Sequence, residues 1–162
     1  MKYMHSYQIH TNGVALYLTD NSTMWLYFNE YSGKAYFRYK IGGRSIKHPG
    51  IYIGADQNGV QYFAHNHVQY GRPVLVTMDE FTAGSEIYPY KEYATTPMAT
   101  VIERALNGIL KSEQYTLATF NCQVYVNESI NNERKSEAVD NSVFGLLLIG
   151  CLALFSATDS GE

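Results

Sequence analysis

The strongest constraint on the fold is a segment in which two apolar runs flank a short stretch of turn-forming residues. The runs cover residues 48–53 and 60–65, and residues 54–59 between them include two glycines, an asparagine and an aspartate. This chemistry predicts an antiparallel β-hairpin. Because a hairpin fixes which residues lie opposite each other, it limits what the side chains on its strands can do.

The hairpin is also predicted to bring two histidines together. We expect Ile53 to pair with Val60 across the loop. A constant register then puts His48 directly opposite His65, with Cβ atoms about 5 Å apart on one face and the rings within reach of a hydrogen bond. A slip of one residue would turn His65 to the other face, and His67 is the alternative partner. Histidines without a chemical role also occur on strand edges, so the pair alone establishes no function.

A second constraint is the segment around Cys122, where a polar loop is predicted to become a helix. Asn121 is a suitable N-cap, because its side-chain oxygen can accept a hydrogen bond from a first-turn N–H. Cys122 then begins the helix, where the macrodipole favours an anion and biases the thiol towards thiolate. Val126 and Ile130 follow at i+4 and i+8, so the sulfur is expected on the core-facing side. Burial of a small, inert cysteine is the alternative interpretation.

The rest of the chain completes an α+β pattern. Turn-rich clusters separate further predicted strands over residues 14–18, 24–28, 35–39 and 72–77. A helix is predicted with Thr96 as N-cap and Pro97 in its first turn, and its apolar face is formed by Met98, Val101, Ile102, Ala105, Leu106 and Ile109. The Cys122 helix is predicted to end near Asn131. The expected fold is therefore an antiparallel sheet packed against helices, with the cysteine at a helix N-terminus.

Length and composition predict one globular domain. The 162 residues are 46% hydrophobic and 17% charged, which excludes a disordered chain. Fifteen tyrosines, mostly before residue 94, favour strands in the first half. The net charge of −3 and the scattered basic residues give no electrostatic basis for binding nucleic acid. Two cysteines and a polar start to the chain predict a reducing, cytoplasmic location.

Residues 143–155 form an apolar run in which the thiol of Cys151 is the one polar group among the side chains. As a helix the run would span about 20 Å, short of the ~30 Å hydrocarbon core, so a simple transmembrane helix is not expected. The alternatives are a helix buried in the domain, or one that lies in a membrane interface or pairs with a second copy. We favour association with a membrane surface.

A cysteine at a helix start together with two strand histidines is the set of groups that thiol catalysis needs. One imidazole takes the thiol proton and later gives it to the leaving group, and a second polar group fixes the tautomer of the first. The order His, His, Cys is the reverse of the Cys-first order in papain-like peptidases. No cofactor and no metal site is predicted.

With these residues in this order, the chain resembles the lecithin retinol acyltransferase-like family, a circularly permuted relative of the NlpC-type papain-like peptidases. The resemblance covers roughly residues 40–157. Residues 48–54 are similar to the family's His-x-x-Ile-Tyr-x-Gly motif, whose histidine is the base. Residues 63–66 are similar to the segment that supplies its second histidine.

The later part of the chain continues the resemblance in the same order. Residues 103–105, Tyr115 and residues 120–122 resemble the family's run from a helix to Asn-Cys-Glu-x-Phe. Residues 135–140 resemble the lead into its C-terminal hydrophobic membrane segment. The chain also departs from the family's pattern. Gln123 stands where the family usually has Glu, and Pro49 directly follows the histidine that matches the base.

The resemblance implies a permuted NlpC/papain-like catalytic domain over residues 40–141. Residues 1–39 would be a β-rich extension of the same domain, and residues 142–157 an apolar C-terminal helix. Cys122 is the expected nucleophile, His48 its base and His65 the group that orients the base, with His67 as the alternative second histidine. The expected supporting or oxyanion residues are Asn121, Gln123 and Tyr52.

The expected function is thiol-dependent acyl transfer or hydrolysis of a lipid ester, of the phospholipase A/acyltransferase kind, through a thioester on Cys122. The apolar run 143–155 would bring the site to a membrane, which favours a lipid substrate. Two alternatives stay open. One is amide hydrolysis of a peptide or cell-wall fragment, as in the NlpC-type relatives, and the other is an interaction module in which Cys122 is unreactive.

Overall fold

A computed structural model of the protein describes residues 3–40, 43–90, 96–117 and 119–136. Within these ranges the chain is α+β, with eight strands and three helices. The strands are β1 (Met4–His10), β2 (Gly13–Leu18), β3 (Thr23–Tyr27), β4 (Ala35–Lys40), β5 (Gly43–Ala55), β6 (Gln61–His67), β7 (Arg72–Thr77) and β8 (Tyr88–Pro89). The helices are α1 (Met78–Thr82), α2 (Met98–Lys111) and α3 (Cys122–Asn131).

The strands form one open antiparallel sheet, in which β5 is the common partner of three others. The order is β1-β2-β3-β5-β4-β8, and β6 pairs with β5 and with β7. The sheet curves, since the Arg72 guanidinium at the start of β7 lies 5.0 Å from the ring of Tyr3, just before β1. Helix α2 contacts both β1 and β7. The curved sheet therefore wraps around the helices.

Strand alternation divides the buried side chains between the two faces of the sheet. The larger cluster joins the sheet to α2 and α3, and includes Val14, Leu16, Leu26, Ile51, Ile53, Ala64, Leu75, Ile102, Leu106, Val124, Val126 and Ile130. The smaller cluster lies with α1 and consists of Tyr52, Phe63, Val74, Val76 and Phe81. Both faces of β5 and β6 are thus covered, which explains why His48 and His65 on these strands are buried.

Most of the elements expected from the pattern are confirmed. The predicted strands lie within β2, β3, β4, β5, β6 and β7 to within a residue, and α3 ends at Asn131 as expected. The predicted N-cap of α2 was wrong. Pro97 is the N-cap and makes no side-chain hydrogen bond, so Thr96 does not cap the helix. A proline already holds its φ near the helical value, here −56°, so the helix can begin directly after it.

The hairpin is confirmed, but its predicted register was wrong by two residues. Ile51 lies opposite Ala64, where we expected Tyr62. The reason is Asp56, whose backbone N–H donates to the carbonyl of Val60 and whose side chain accepts from the N–H groups of Asn58 and Val60. This Asx-type turn closes the loop closer to its tip than a pairing of residues 53 and 60 would. A register irregularity between residues 52 and 54 takes up the extra residue.

The apolar run 143–155, with Cys151 and the predicted helix over residues 142–157, lies outside the described residues. Among the helices of the described ranges, none is long and apolar enough to cross a membrane.

Candidate active site

The two histidines of the hairpin form a buried pair. His48 Nε2 lies 2.8 Å from His65 Nδ1, and the rings meet edge to face with centroids 5.1 Å apart. The two side chains are 1% and 2% exposed. The error in register did not separate them, because a shift by two residues keeps every side chain on its own face.

His67 also adjoins the pair. If the observed register of β5 and β6 is continued, His67 and not His65 lies opposite His48, and the centroids of these two rings are 4.8 Å apart. The Nδ1 atom of His67 accepts a hydrogen bond from the N–H of Gln69 in the following turn. The structure therefore brings together all three candidate histidines, and His48 and His65 share a hydrogen bond. No group of three His, Cys, Asp or Glu side chains in the described ranges is arranged to hold a metal ion.

Phe81 of α1 forms an apolar floor under the pair. Its ring stacks on Phe63 at 4.5 Å and lies 6.0 Å from the ring of His48 and 5.6 Å from that of His65. Gly50 makes this approach possible, because a Cβ atom there would lie 2.7 Å from Phe81 Cε2. A capping box at the start of α1 fixes the helix that carries the ring. The floor excludes water from the histidines.

The environment keeps His65 neutral. Burial, together with the neighbouring charges of His67 and Arg38, lowers the pKa of His65 from 6.5 to about 3, against a smaller opposite effect of Glu80. A neutral imidazole has one N–H donor and one acceptor nitrogen. His65 can therefore fix the orientation and tautomer of His48 without carrying charge itself.

Arg38 is a site residue that the sequence did not identify. It lies directly opposite His48 in the β4–β5 ladder and is 7% exposed. Its guanidinium donates to the backbone carbonyls of Phe81, at 2.5 Å, and Tyr39. No described carboxylate forms an ion pair with it. The only signal in the sequence was an arginine at an inward position of an aromatic strand.

Cys122 begins α3 as predicted, and its side chain is buried, with 5% exposed. The side chain of Asn121 accepts hydrogen bonds from the N–H groups of Gln123 and Val124, at 2.9 and 3.1 Å, which confirms the predicted N-cap. Helix α3 packs against β5 and β6, the two strands that carry the histidines.

Two further interactions connect the start of α3 with the histidine strands. Asn66, next to His65 in β6, donates to the carbonyl of Phe120 at 3.1 Å, two residues before Cys122. Arg38 provides the second connection: burial lowers its pKa, and the charge of Cys122 acts in the opposite direction. The thiol and the guanidinium are therefore close enough for their charges to interact.

The other predicted supporting residues have mainly structural contacts. Asn121 donates to Ser136 Oγ at 3.1 Å, and that hydroxyl donates to Gln123 Oε1 at 2.9 Å. The two residues thus hold the segment that follows α3 against the helix start. Tyr52 accepts a hydrogen bond from Asn29 at 3.1 Å, four residues along β5 from the buried pair, and the structure does not bring its hydroxyl to the histidines.

No protein-family model matches the chain, and no curated protein matches it.

Proposed function

We propose that the protein is a thiol-dependent acyltransferase or hydrolase with Cys122 as nucleophile and His48 as base. The observation that carries the proposal is the buried His48–His65 hydrogen bond on the two strands against which the Cys122 helix packs. Burying polar rings costs free energy that apolar side chains of similar size would not. A chain that keeps such a pair on strands that contact the helix of a helix-start cysteine has the residue types of a catalytic triad.

In the proposed mechanism the histidine pair acts through its shared hydrogen bond. If His65 Nδ1 accepts, then His48 Nε2 carries the proton, and His48 Nδ1 is the nitrogen that takes the proton of the thiol. The thiolate of Cys122 attacks the acyl carbonyl, and His48 returns the proton to the leaving alcohol as the thioester forms. Water or another acceptor then attacks the thioester, with His48 again as the base.

Arg38 supports this chemistry electrostatically. A buried guanidinium whose hydrogen-bond acceptors are backbone carbonyls retains its full positive charge. Close to Cys122, that charge favours the thiolate over the thiol. The N–H of Cys122 at the helix start is available to a developing oxyanion. The proposed acyl donor is a lipid ester, as implied by the family resemblance and by the apolar run 143–155.

The direct test is the covalent intermediate. We expect wild-type protein incubated with an activated ester or a phospholipid to gain the mass of one acyl group, and Cys122→Ala to gain none. His48→Gln should reduce the rate of acylation by two or more orders of magnitude, because it removes the base. An adduct of equal size on Cys122→Ala would contradict the proposal. Acylation by amides and not by any ester would favour the NlpC-type amidase.

A second test measures the reactivity of the thiol. We expect iodoacetamide to alkylate Cys122 in the folded protein at a pH well below the ordinary pKa of a cysteine, which is about 8.5. Arg38→Gln should move the midpoint of the alkylation rate to higher pH. Arg134→Gln is the matched control, since that arginine is exposed and paired with Glu113. If only unfolded protein reacts, the protein is a binding module and not an enzyme.

A further inference from the structure

Two apolar side chains project from the surface beside the candidate active site. Leu117 is 73% exposed and Val68 is 61% exposed, the highest values for large hydrophobic residues in the described ranges. Single exposed hydrophobic residues are common and need no explanation. These two are different because their loops are joined: the N–H of Tyr115 donates to the carbonyl of Gly71 at 2.7 Å. We call Leu117 and Val68 the apolar rim.

Hydrogen bonds hold the described residues on both sides of Leu117. Thr116 and Phe120 form a pair of backbone hydrogen bonds around it, at 3.0 and 3.3 Å, and the Thr116 hydroxyl accepts from the N–H groups of Thr119 and Phe120. The carbonyl of Leu117 itself accepts from the side chain of Asn121 at 2.9 Å. The residue that caps the Cys122 helix thus also holds the exposed leucine in place.

The turn that carries Val68 is fixed to the histidines. The carbonyl of His67 accepts hydrogen bonds from Tyr70 and Gly71, and its ring accepts one from Gln69. The ring of Tyr70 lies 5.9 Å from that of His65 and 6.0 Å from that of His67. One half of the apolar rim therefore extends from the histidine strand and the other half from the start of the cysteine helix.

We propose that the apolar rim inserts into a lipid surface and so places the site over the acyl chains of its substrate; this rests on the proposed function. Two side chains cannot supply the roughly 800 Å² per partner that a stable protein interface buries. A lipid surface needs no such area, because a few apolar groups add their partition free energies to those of any other anchor. Side chains whose neighbours are held by hydrogen bonds suit this role, since insertion then costs little conformational entropy.

Insertion is tested with tryptophan fluorescence in the full chain. Leu117→Trp is compared with Val60→Trp, using phosphatidylcholine vesicles that carry bromine on the acyl chains. Val60 is the matched control because it is also exposed, at 39%. It precedes the first residue of β6, whereas Val68 follows the last. We expect bromine to quench the added fluorescence at position 117 and not at position 60, after subtraction of wild type with its single Trp25. Equal quenching at both positions, or none at 117, would overturn the inference.

The functional consequence is tested with two substrates. Leu117→Ser and Val68→Ser together should lower the rate of acylation by a vesicle-borne phospholipid at least tenfold and leave acylation by a short, water-soluble ester unchanged. Val60→Ser should change neither rate. If the double variant acts on vesicles at the wild-type rate, the apolar rim has no such role. Acylation by the soluble ester decides the proposed function separately, since that reaction needs no lipid surface.

Discussion

His65 titrates far from the ordinary range of a histidine, and its protonation is therefore coupled to folding. In the folded protein burial, with the nearby charges of His67 and Arg38, lowers its pKa from 6.5 to about 3. Below pH 6.5 the unfolded chain takes up a proton at this position and the folded protein does not. The unfolded state binds more protons in that window, so the contribution of His65 is complete above pH 6.5 and is lost as the pH falls towards 3.

We predict that acid destabilises wild type more steeply than a His65→Asn variant. Between pH 6.5 and pH 3 the unfolding free energy of wild type should fall by on the order of 4 kcal/mol more than that of the variant, because one pKa unit corresponds to about 1.4 kcal/mol. Urea unfolding at intervals of one pH unit measures this, with His10→Asn, a change outside the buried pair, as control. Parallel curves for wild type and His65→Asn would show that the imidazole is already protonated in the fold.

The residues of the site differ in how far the sequence could predict them. Periodicity and turn chemistry were enough to place the histidines on one face, and the N-cap rule was enough for Cys122. Arg38 could not be predicted, because an arginine on a strand usually extends its charged end into water. Its burial depends on the carbonyls of Phe81 and Tyr39, which only the tertiary structure brings to it.

At the scale of the element, α2 and α3 pack together where the ring of Tyr125 leaves no space for a side chain at Gly108. A Cβ atom at Gly108 of α2 would lie 2.6 Å from Cε2 of Tyr125 in α3. The hydroxyl of Tyr125 donates to the carbonyl of Ala105 at 2.7 Å, so the fully buried ring has no room to move away. The contact positions α3, and with it the cysteine.

We predict that Gly108→Ala destabilises the protein although alanine is the better helix former. Helix propensity alone would favour alanine by about 1 kcal/mol. Overpacking costs about 1–3 kcal/mol, so after the gain in helix propensity we expect a net loss of up to about 2 kcal/mol and a lower melting temperature. In a Tyr125→Leu background the same change should be neutral or stabilising, which a double-mutant cycle by thermal unfolding would measure. A loss of equal size in both backgrounds would contradict the packing explanation.

The elements themselves were largely predictable, and the exceptions have physical reasons. The predicted hairpin register was wrong because the side chain of Asp56 organises the turn through hydrogen bonds, which a count of apolar residues cannot detect. Helix α1 has only five residues and is held by its capping box and by Phe81, so it is too short for a periodic pattern. β1 was not predicted as a strand, because Met4–His10 is polar at most of its positions.

At the scale of the molecule, the first three strands are part of the core. Val14 and Leu16 of β2 and Leu26 of β3 are fully buried in the cluster that contains the apolar faces of α2 and α3. Tyr7 of β1 donates to Asn107 of α2 at 2.8 Å. The resemblance proposed from the sequence begins near residue 40, but the packing of the helices depends on residues before it.

We predict that a chain without residues 1–31 does not fold cooperatively, because α2 would lose the strands that cover its apolar face. Thermal unfolding by circular dichroism should show no sharp transition, and amide proton shifts should lack dispersion. The full chain under the same conditions is the control. A cooperative transition with dispersed amide shifts in the shortened chain would show that residues 32–162 fold on their own.

The strands β1, β2 and β3 are joined to the rest of the sheet by a narrow connection. Their pairings with each other extend over most of their length, whereas β3 meets β5 at the single pair Tyr27 and Ala55. Segments linked by many internal hydrogen bonds and few external ones tend to open as a unit. In hydrogen exchange, the amides of β1, β2 and β3 should therefore exchange together as one cooperative group.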